Sequence, residues 1–313
     1  MYESGLTGDE RCRRPVETPF AGHARSAGLA FTSVLRNPVP VTQGQGTPAG
    51  GPVRELDGGV RLPVLGLGVS RLPDGREAEQ AVEWALEAGY RHIDTAAVYG
   101  NERSVGAALG RSGIAREDVF VTTKFMPAHG GAAGELAGSL ERLRLDYVDL
   151  YLIHWPRRLR NARLWRELQT LQEQGQTRAV GVSNFGRKQL ARLAAGSSRL
   201  PAVDQVQFSP FHFRRRLLEH CEAHGIALEA HSPLERGREL GHPVIARIAQ
   251  RLERTPAQVM LRWAVQHNAI VIPKSGRRER IRSNAQIFDF ELGEDDMRTL
   301  DGLDRTHGTG RAR

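Results

Sequence analysis

Arg91-His-Ile-Asp-Thr-Ala-Ala-Val-Tyr-Gly-Asn-Glu102 decides how the rest of the chain is read. Residues 91–94 have the makings of a short strand ending on a carboxylate. The chain then breaks into a loop carrying Tyr99, and a helix is expected from Asn101 onward, with Asn101 as its N-cap. A carboxylate closing a strand and a tyrosine five residues later are unremarkable alone. They gain meaning because nearly every later strand also closes on a polar residue.

Outward from this stretch, short apolar runs occur at residues 64–67, 92–93, 119–122, 148–153, 179–182, 203–206, 226–228 and 270–272. Helical patterns fall between them at 77–88, 136–143, 164–174, 188–195, 217–224 and 256–267, the last opened by Pro256 after Thr255. Upstream, residues 53–56 and 60–62 flank Asp57-Gly58-Gly59 and predict an N-terminal β-hairpin. Eight short strands alternating with helices over about 250 residues predict an α/β fold, a (β/α)8 TIM barrel. The runner-up is a doubly wound open sheet. It calls for a glycine-rich dinucleotide turn after the first strand, and Gly66-Leu-Gly68-Val-Ser-Arg71 lacks the third glycine and has no helical pattern directly behind it.

Composition bounds the function classes. The 313 residues carry 44 basic and 36 acidic side chains, a net charge of +8. The basic residues are scattered along the chain, and no zinc-finger, RNP or basic-zipper pattern accompanies them, so no nucleic-acid partner is expected. No apolar run approaches the ~20 residues of a membrane span, so no membrane partner is expected either. Cys12 and Cys221 are the only cysteines, and neither has a neighbour at metal-ligand spacing. A structural disulfide is not expected, and a cytoplasmic location fits. Only three of the basic residues are lysines, Lys124, Lys188 and Lys274. In an arginine-rich chain, a lysine can mark a place that needs a compact ammonium.

Residues 1–51 are rich in Gly, Pro, Ser, Thr and Arg and lack sustained periodicity. They are expected to be a disordered extension, or the result of a start codon placed too early. There is no secretory h-region, and Glu3, Asp9, Glu10 and Glu17 argue against a mitochondrial presequence. The folded domain is expected to span 52–313.

In a barrel, the C-terminal ends of the strands form the active face. That rule collects Asp94, Lys124, His154, Ser183, Asn184, Gln205, His231 and Lys274 at one mouth.

These residues sit in motifs that resemble the aldo-keto reductases over roughly residues 53–305. The matching segments are Gly89-Tyr-Arg-His-Ile-Asp-Thr-Ala-Ala-Val-Tyr-Gly-Asn-Glu102, Thr122-Thr-Lys-Phe125, Asp149-Leu-Tyr-Leu-Ile-His-Trp-Pro156, Gly181-Val-Ser-Asn-Phe185 and Ile272-Pro-Lys-Ser275, with Glu279-Arg-Ile281 and Asn284 beyond. The chain is most similar to the bacterial branch that includes diketogluconate reductases.

The resemblance implies a catalytic tetrad of Asp94, Tyr99, Lys124 and His154, and the chemistry makes sense of the types. Hydride delivery to a carbonyl leaves negative charge on oxygen, so a proton donor must sit beside it, the role implied for Tyr99. A tyrosine is a reluctant acid, and a nearby Lys124 ammonium favours loss of its proton. Asp94 would keep Lys124 charged and oriented, and His154 would hydrogen-bond the substrate oxygen. No metal is implied. Any one of these residues alone could be structural; the set at successive strand ends favours catalysis.

The resemblance also implies NADPH. Ser183, Asn184 and Gln205 match the residues that bind the nicotinamide amide. Lys274, Ser275 and Arg280 match the pocket for the 2′-phosphate, where two cations and a hydroxyl suit a dianion. Asn284 would contact adenine, and Ser232-Pro-Leu234 with Gly237 matches the loop around the pyrophosphate. Two departures stand out. His231 occupies the place of a large aromatic that stacks on nicotinamide, which bears on cofactor affinity and selectivity. Gln207-Phe-Ser-Pro210 replaces a Glu-x-His-Pro pattern.

A small carbonyl compound is the expected substrate and a monomer the expected state. Trp155 is expected to wall the substrate pocket. Arg157 or Arg158, in the short basic segment after His154, would favour acidic carbonyls such as keto-acids or sugar acids; the plainer reading of that segment is a solvated helix start. The rival reading is a barrel that binds NADPH without catalysis, as a sensor or a subunit of an assembly.

Overall fold

The computed structural model describes residues 51–126, 131–157, 160–197 and 199–306. Residues 1–50, nearly all of the expected extension, lie outside the described residues.

Backbone alternation sets the barrel. Along Val148–Ile153, Leu150 and Leu152 belong to the same apolar cluster as the hairpin, whereas Tyr151 and Ile153 belong to the cluster shared with the helices. A strand buried on both faces in this way reads as a continuous apolar run, as expected for a parallel sheet covered by helices. The chain opens with an antiparallel hairpin, β1 (Val53–Leu56) and β2 (Val60–Pro63). Its Leu56, Val60 and Leu62 pack with Phe120, Leu150, Ala179, Val203, Ala227 and Ile270, most of which lie toward the starts of barrel strands, so the hairpin plugs the N-terminal end.

Eight parallel strands follow: β3 (Leu67–Gly68), β4 (His92–Asp94), β5 (Phe120–Phe125), β6 (Val148–Ile153), β7 (Thr177–Ser183), β8 (Val203–Gln207), β9 (Ala227–His231) and β10 (Ile270–Val271). They pair in sequence order. The Leu65–Val271 parallel bridge closes the ring, with Gly66 N donating to Val271 O at 2.9 Å and Val271 N to Val64 O at 2.8 Å. The first strand run is thus in pairing contact where expected, although regular strand is assigned only to its end.

Around the sheet run α1 (Arg76–Glu87), α2 (Glu102–Arg111), α3 (Ala132–Leu143), α4 (Asn161–Glu173), α5 (Arg187–Ala195), α6 (Arg215–Ala223), α7 (Pro243–Arg251), α8 (Pro256–Gln266), α9 (Arg278–Ala285) and α10 (Glu294–Asp301). No helix among the described residues is long and apolar enough to cross a membrane. Thr255 caps α8 with a complete capping box, its hydroxyl accepting from Gln258 N and the Gln258 side chain accepting from Thr255 N. Gly106 is needed where α2 crosses the end of α3, since a Cβ there would lie 2.2 Å from Leu143 O.

One local expectation is corrected. Asn101 sits at the N-cap of α2, but its side chain makes no cap hydrogen bond. It is fully buried and faces inward: Nδ2 donates to Val69 O and Leu72 O, both at 2.9 Å, and Oδ1 accepts from Thr95 Oγ1 at 3.0 Å. Asn101 therefore braces the segment after β3 against the segment after β4, which carries Tyr99. Glu102 serves a similar end, joining Arg142 of α3 at 2.7 Å and Thr123 of β5 at 2.6 Å.

Candidate active site

Three of the four expected catalytic side chains form one connected group. Asp94 closes β4, Tyr99 ends a short 3-10 turn (Ala97–Tyr99) and Lys124 projects from β5. Lys124 is fully buried and its ammonium has three partners: Asp94 Oδ1 at 2.7 Å, Thr95 O at 2.8 Å and Tyr99 OH at 3.4 Å. Nζ also lies 5.0 Å from the centre of the Tyr99 ring. Burial alone would favour a neutral amine. The charge of Asp94 and the hydrogen bond to it lead the effects that outweigh burial, so Lys124 is held above the ordinary lysine value. Burial likewise pushes the Asp94 carboxyl up while Lys124 and Gln205 pull it down. With Nζ at 2.7 Å, the ion pair is the form that satisfies both groups.

His154 follows β6 and meets the Tyr99 ring edge-on at a centroid distance of 5.7 Å. Burial first, then the charge of Lys124, lowers its pKa to about 3, so the imidazole is neutral near pH 7. Its Nδ1 is buried and makes no hydrogen bond among the described residues, which leaves Nε2 to meet a ligand.

A cavity of about 1120 Å³ opens in front of this group. Asp94, Tyr99, His154 and Trp155 border one end, together with Asn184, Gln205 and His231. Ser232, Leu234, Gly237, Lys274, Ser275, Arg280 and Asn284 also line it, so these expected cofactor residues share one cavity. Two expectations fall differently. Ser183 is fully buried and does not line the cavity; its hydroxyl donates to Gln205 O at 2.8 Å and accepts from Asn184 Nδ2 at 3.0 Å. It supports Asn184 rather than facing the cavity. Arg157 is exposed ahead of α4 and is not one of the lining residues, and Arg158 lies outside the described residues.

The cavity also has residues that sequence reasoning missed. Gly68, Ser70, Arg71 and Leu72 line it from the segment that failed as a dinucleotide turn, and Arg236 and Arg277 add cations. Lys274, Arg236, Arg277 and Arg280 have no ion-pair partner among the described residues. Glu77 and Glu279 border the same cavity without pairing to them. Unneutralised cations at one end and amide groups beside the tetrad at the other form a donor set that fits a phosphorylated dinucleotide lying along the cavity. Ser275 turns the chain into α9 by accepting from Arg277 N at 3.1 Å.

His231 takes part through hydrogen bonds. Nε2 lies 3.1 Å from Asn184 Oδ1 and Nδ1 lies 3.3 Å from Ser232 Oγ. Burial and then Lys124 lower its pKa to about 4, so it too is neutral near pH 7. The second departure also gains a physical account: Gln207, Ser209 and His212 all converge on Glu235, at 3.1, 2.5 and 3.1 Å, in the loop after β9. That loop places Ser232, Glu235, Arg236 and Gly237 at positive φ, and the convergence pins it down.

The model of the aldo/keto reductase family matches residues 64–241 and 239–305. The chain is 44% identical to a glyoxal reductase of Bacillus subtilis over 259 residues, 82% of this chain and 94% of that protein. It is 45% identical to a 9,11-endoperoxide prostaglandin H2 reductase of Trypanosoma cruzi over 261 residues, 82% of this chain and 92% of that one. An aldo/keto reductase structure from Brucella melitensis superimposes with a TM-score of 0.77 at 42% identity, covering 81% of this chain and 99% of that chain. A Bombyx mori aldo-keto reductase solved in complex with NADP gives a TM-score of 0.77 at 33% identity, covering 82% and 94%. Fold, site and comparisons agree: the chain belongs to the aldo/keto reductase family.

Proposed function

We propose that Tyr99 is the general acid in an NADPH-dependent reduction of an aldehyde or ketone to an alcohol. The observation that carries the reading is the Asp94–Lys124–Tyr99 chain, with His154 beside it at the cavity wall. A bound nicotinamide supplies the hydride. The side chains do the rest. Tyr99 passes its hydroxyl proton to the carbonyl oxygen as charge builds there. Lys124, held by Asp94 and Thr95 O, stabilises the phenolate left behind. Neutral His154 offers Nε2–H as a second hydrogen-bond donor and sets the angle of the carbonyl. Trp155, 47% exposed, forms an apolar wall for a small substrate.

Asn184 and Gln205 are read as the nicotinamide end of the cofactor site, and Lys274, Arg280 and Ser275 as the 2′-phosphate end. The unpaired cations and the NADP-bound silkworm relative support NADPH over NADH. The Bacillus relative's name points to small aldehydes and dicarbonyls. Arg157 lies outside the lining, so selection for acidic carbonyls is not assigned to it. A monomer working in the cytosol completes the reading, supported there by the scarcity of cysteine. The test is NADPH oxidation by the purified protein on small aldehydes, dicarbonyls and keto-acids, with alcohol formed in step. No oxidation with any of them would overturn the reading.

A further inference from the structure

Beneath the tetrad lies a carboxyl group that the mechanism above does not use. Glu229 is fully buried on β9, directly opposite Gln205 in the β8–β9 register. Gln205 Nε2 donates to Glu229 Oε2 at 2.7 Å and to Asp94 Oδ2 at 2.8 Å. Both amide hydrogens are therefore held by carboxyl groups on the two flanking sides. The reverse orientation would set the amide oxygen against the ionised Asp94 carboxylate. Gln205 lines the cavity, and no hydrogen bond among the described residues engages its Oε1. The polar atom it offers a ligand is an acceptor.

Asn184 is fixed the same way. Its Nδ2 donates to the backbone carbonyl of His154 at 3.0 Å and to Ser183 Oγ at 3.0 Å, which uses both hydrogens. A backbone carbonyl only accepts, so the amide cannot be reversed. Oδ1 then accepts from His231 Nε2 at 3.1 Å, and one lone pair remains. Asn184 also offers only an acceptor to the cavity.

We infer that Glu229 is a positioning residue which, with Asp94, locks Gln205 so that the nicotinamide end of the cavity presents two acceptors and selects a ring substituent carrying N–H2. The inference rests on the reading that Asn184 and Gln205 meet the nicotinamide carboxamide. Its new content is the polarity of the site and the residue that sets it. The groups facing Glu229 are Asp94 and His92 of β4, Lys124 of β5 and Gln205 of β8. Burial, then the charge of Asp94, pushes its carboxyl up to about 8, so near pH 7 it rests as the neutral acid and adds no second charge beside the Asp94–Lys124 pair.

Two NADP+ analogues separate the possibilities in calorimetric binding to the full chain. The thionicotinamide analogue keeps N–H2 and replaces the carbonyl oxygen; the 3-acetylpyridine analogue keeps a carbonyl oxygen and has no N–H. Wild type should bind the thio analogue within about threefold of NADP+, and the acetyl analogue about tenfold or more weaker. Glu229→Leu should shrink that discrimination to about threefold or less by loosening Gln205, which then keeps only Asp94, while Asn184 retains its part. Glu229→Gln, whose side-chain oxygen can still accept from Gln205 Nε2, should restore it. A merely structural role for Glu229 would lower stability without moving the ratio between analogues. Equal binding of both analogues to wild type, or undiminished discrimination in folded Glu229→Leu, would overturn the inference. The underlying reading fails separately, by Gln205→Leu leaving NADP+ affinity unchanged.

Discussion

Lys124 Nζ stands 3.4 Å from Tyr99 OH, its longest hydrogen bond, while Asp94 and the Thr95 carbonyl hold it at 2.7 and 2.8 Å. The short contacts position the ammonium and the long one is free to tighten as charge develops on the phenol, as catalytic hydrogen bonds do when the reacting complex forms. Lys124→Met should lower kcat about 10²–10⁴-fold while NADPH binding stays within about threefold of wild type. Steady-state rates beside a fluorescence titration separate the two. An equal loss in both would mean that Lys124 serves the fold or the cofactor and not the acid.

Arg280 borders the cavity with no ion-pair partner among the described residues, although it stands on an arginine-rich helix. Arg280→Leu should weaken NADPH binding about 10- to 100-fold and leave NADH almost unchanged, because only the former carries the 2′-phosphate. Parallel losses for both dinucleotides would assign Arg280 another role.

Asn101 holds Val69 O, Leu72 O and Thr95 Oγ1 at once. Asn101→Leu leaves the buried Leu72 carbonyl without a donor and the buried Thr95 hydroxyl without an acceptor, while Val69 O keeps Leu72 N, and should lower unfolding free energy by about 2–4 kcal/mol. Urea denaturation measures it. A change below about 0.5 kcal/mol would show that the brace contributes little.

Asn101 also marks where the sequence stops being legible. The periodicity of residues 148–153 reports burial on both faces, and β6 has those bounds. The capping box at Thr255 is local chemistry and is equally plain. Helix α9 is weakly patterned, burying only Ile281 and Asn284 among its charged residues, whereas α7 and α10 are amphipathic but short, nine and eight residues, and no helix was expected at either place. Convergence of strand ends in a barrel gathers Asp94, Lys124 and His154, whereas Tyr99, in a turn after β4, was named only through the family resemblance. Whether Asn101 turns outward to cap or inward to brace depends on partners about 30 residues away, at Val69 and Leu72. Glu229 was missed for a related reason: within an apolar run, a carboxyl group is unremarkable until the neighbouring strand places Gln205 against it.

Asp204 is fully buried on β8, its Oδ2 has no hydrogen bond, and burial raises its pKa to about 8. An unfolded aspartate titrates near 3.9, so between about pH 4 and pH 8 the native state holds a proton that the unfolded chain has released. Its contribution to stability is therefore greatest below the unfolded value and is lost as pH rises through the folded one. Asp204→Asn does not titrate. Its Tm relative to wild type should climb from about pH 4 to about pH 8 and then level off. A difference independent of pH would mean that Asp204 is ionised in the fold.

The most direct test of the central claim compares wild type and Tyr99→Phe in single-turnover oxidation of bound NADPH by a small aldehyde, with NADPH affinity measured on both. The account predicts turnover in wild type, a loss of about 10²-fold or more in the variant, and unchanged cofactor affinity. A variant that turns over at the wild-type rate would contradict Tyr99 as the acid. A wild type that binds NADPH tightly and reduces no carbonyl would contradict the reductase itself.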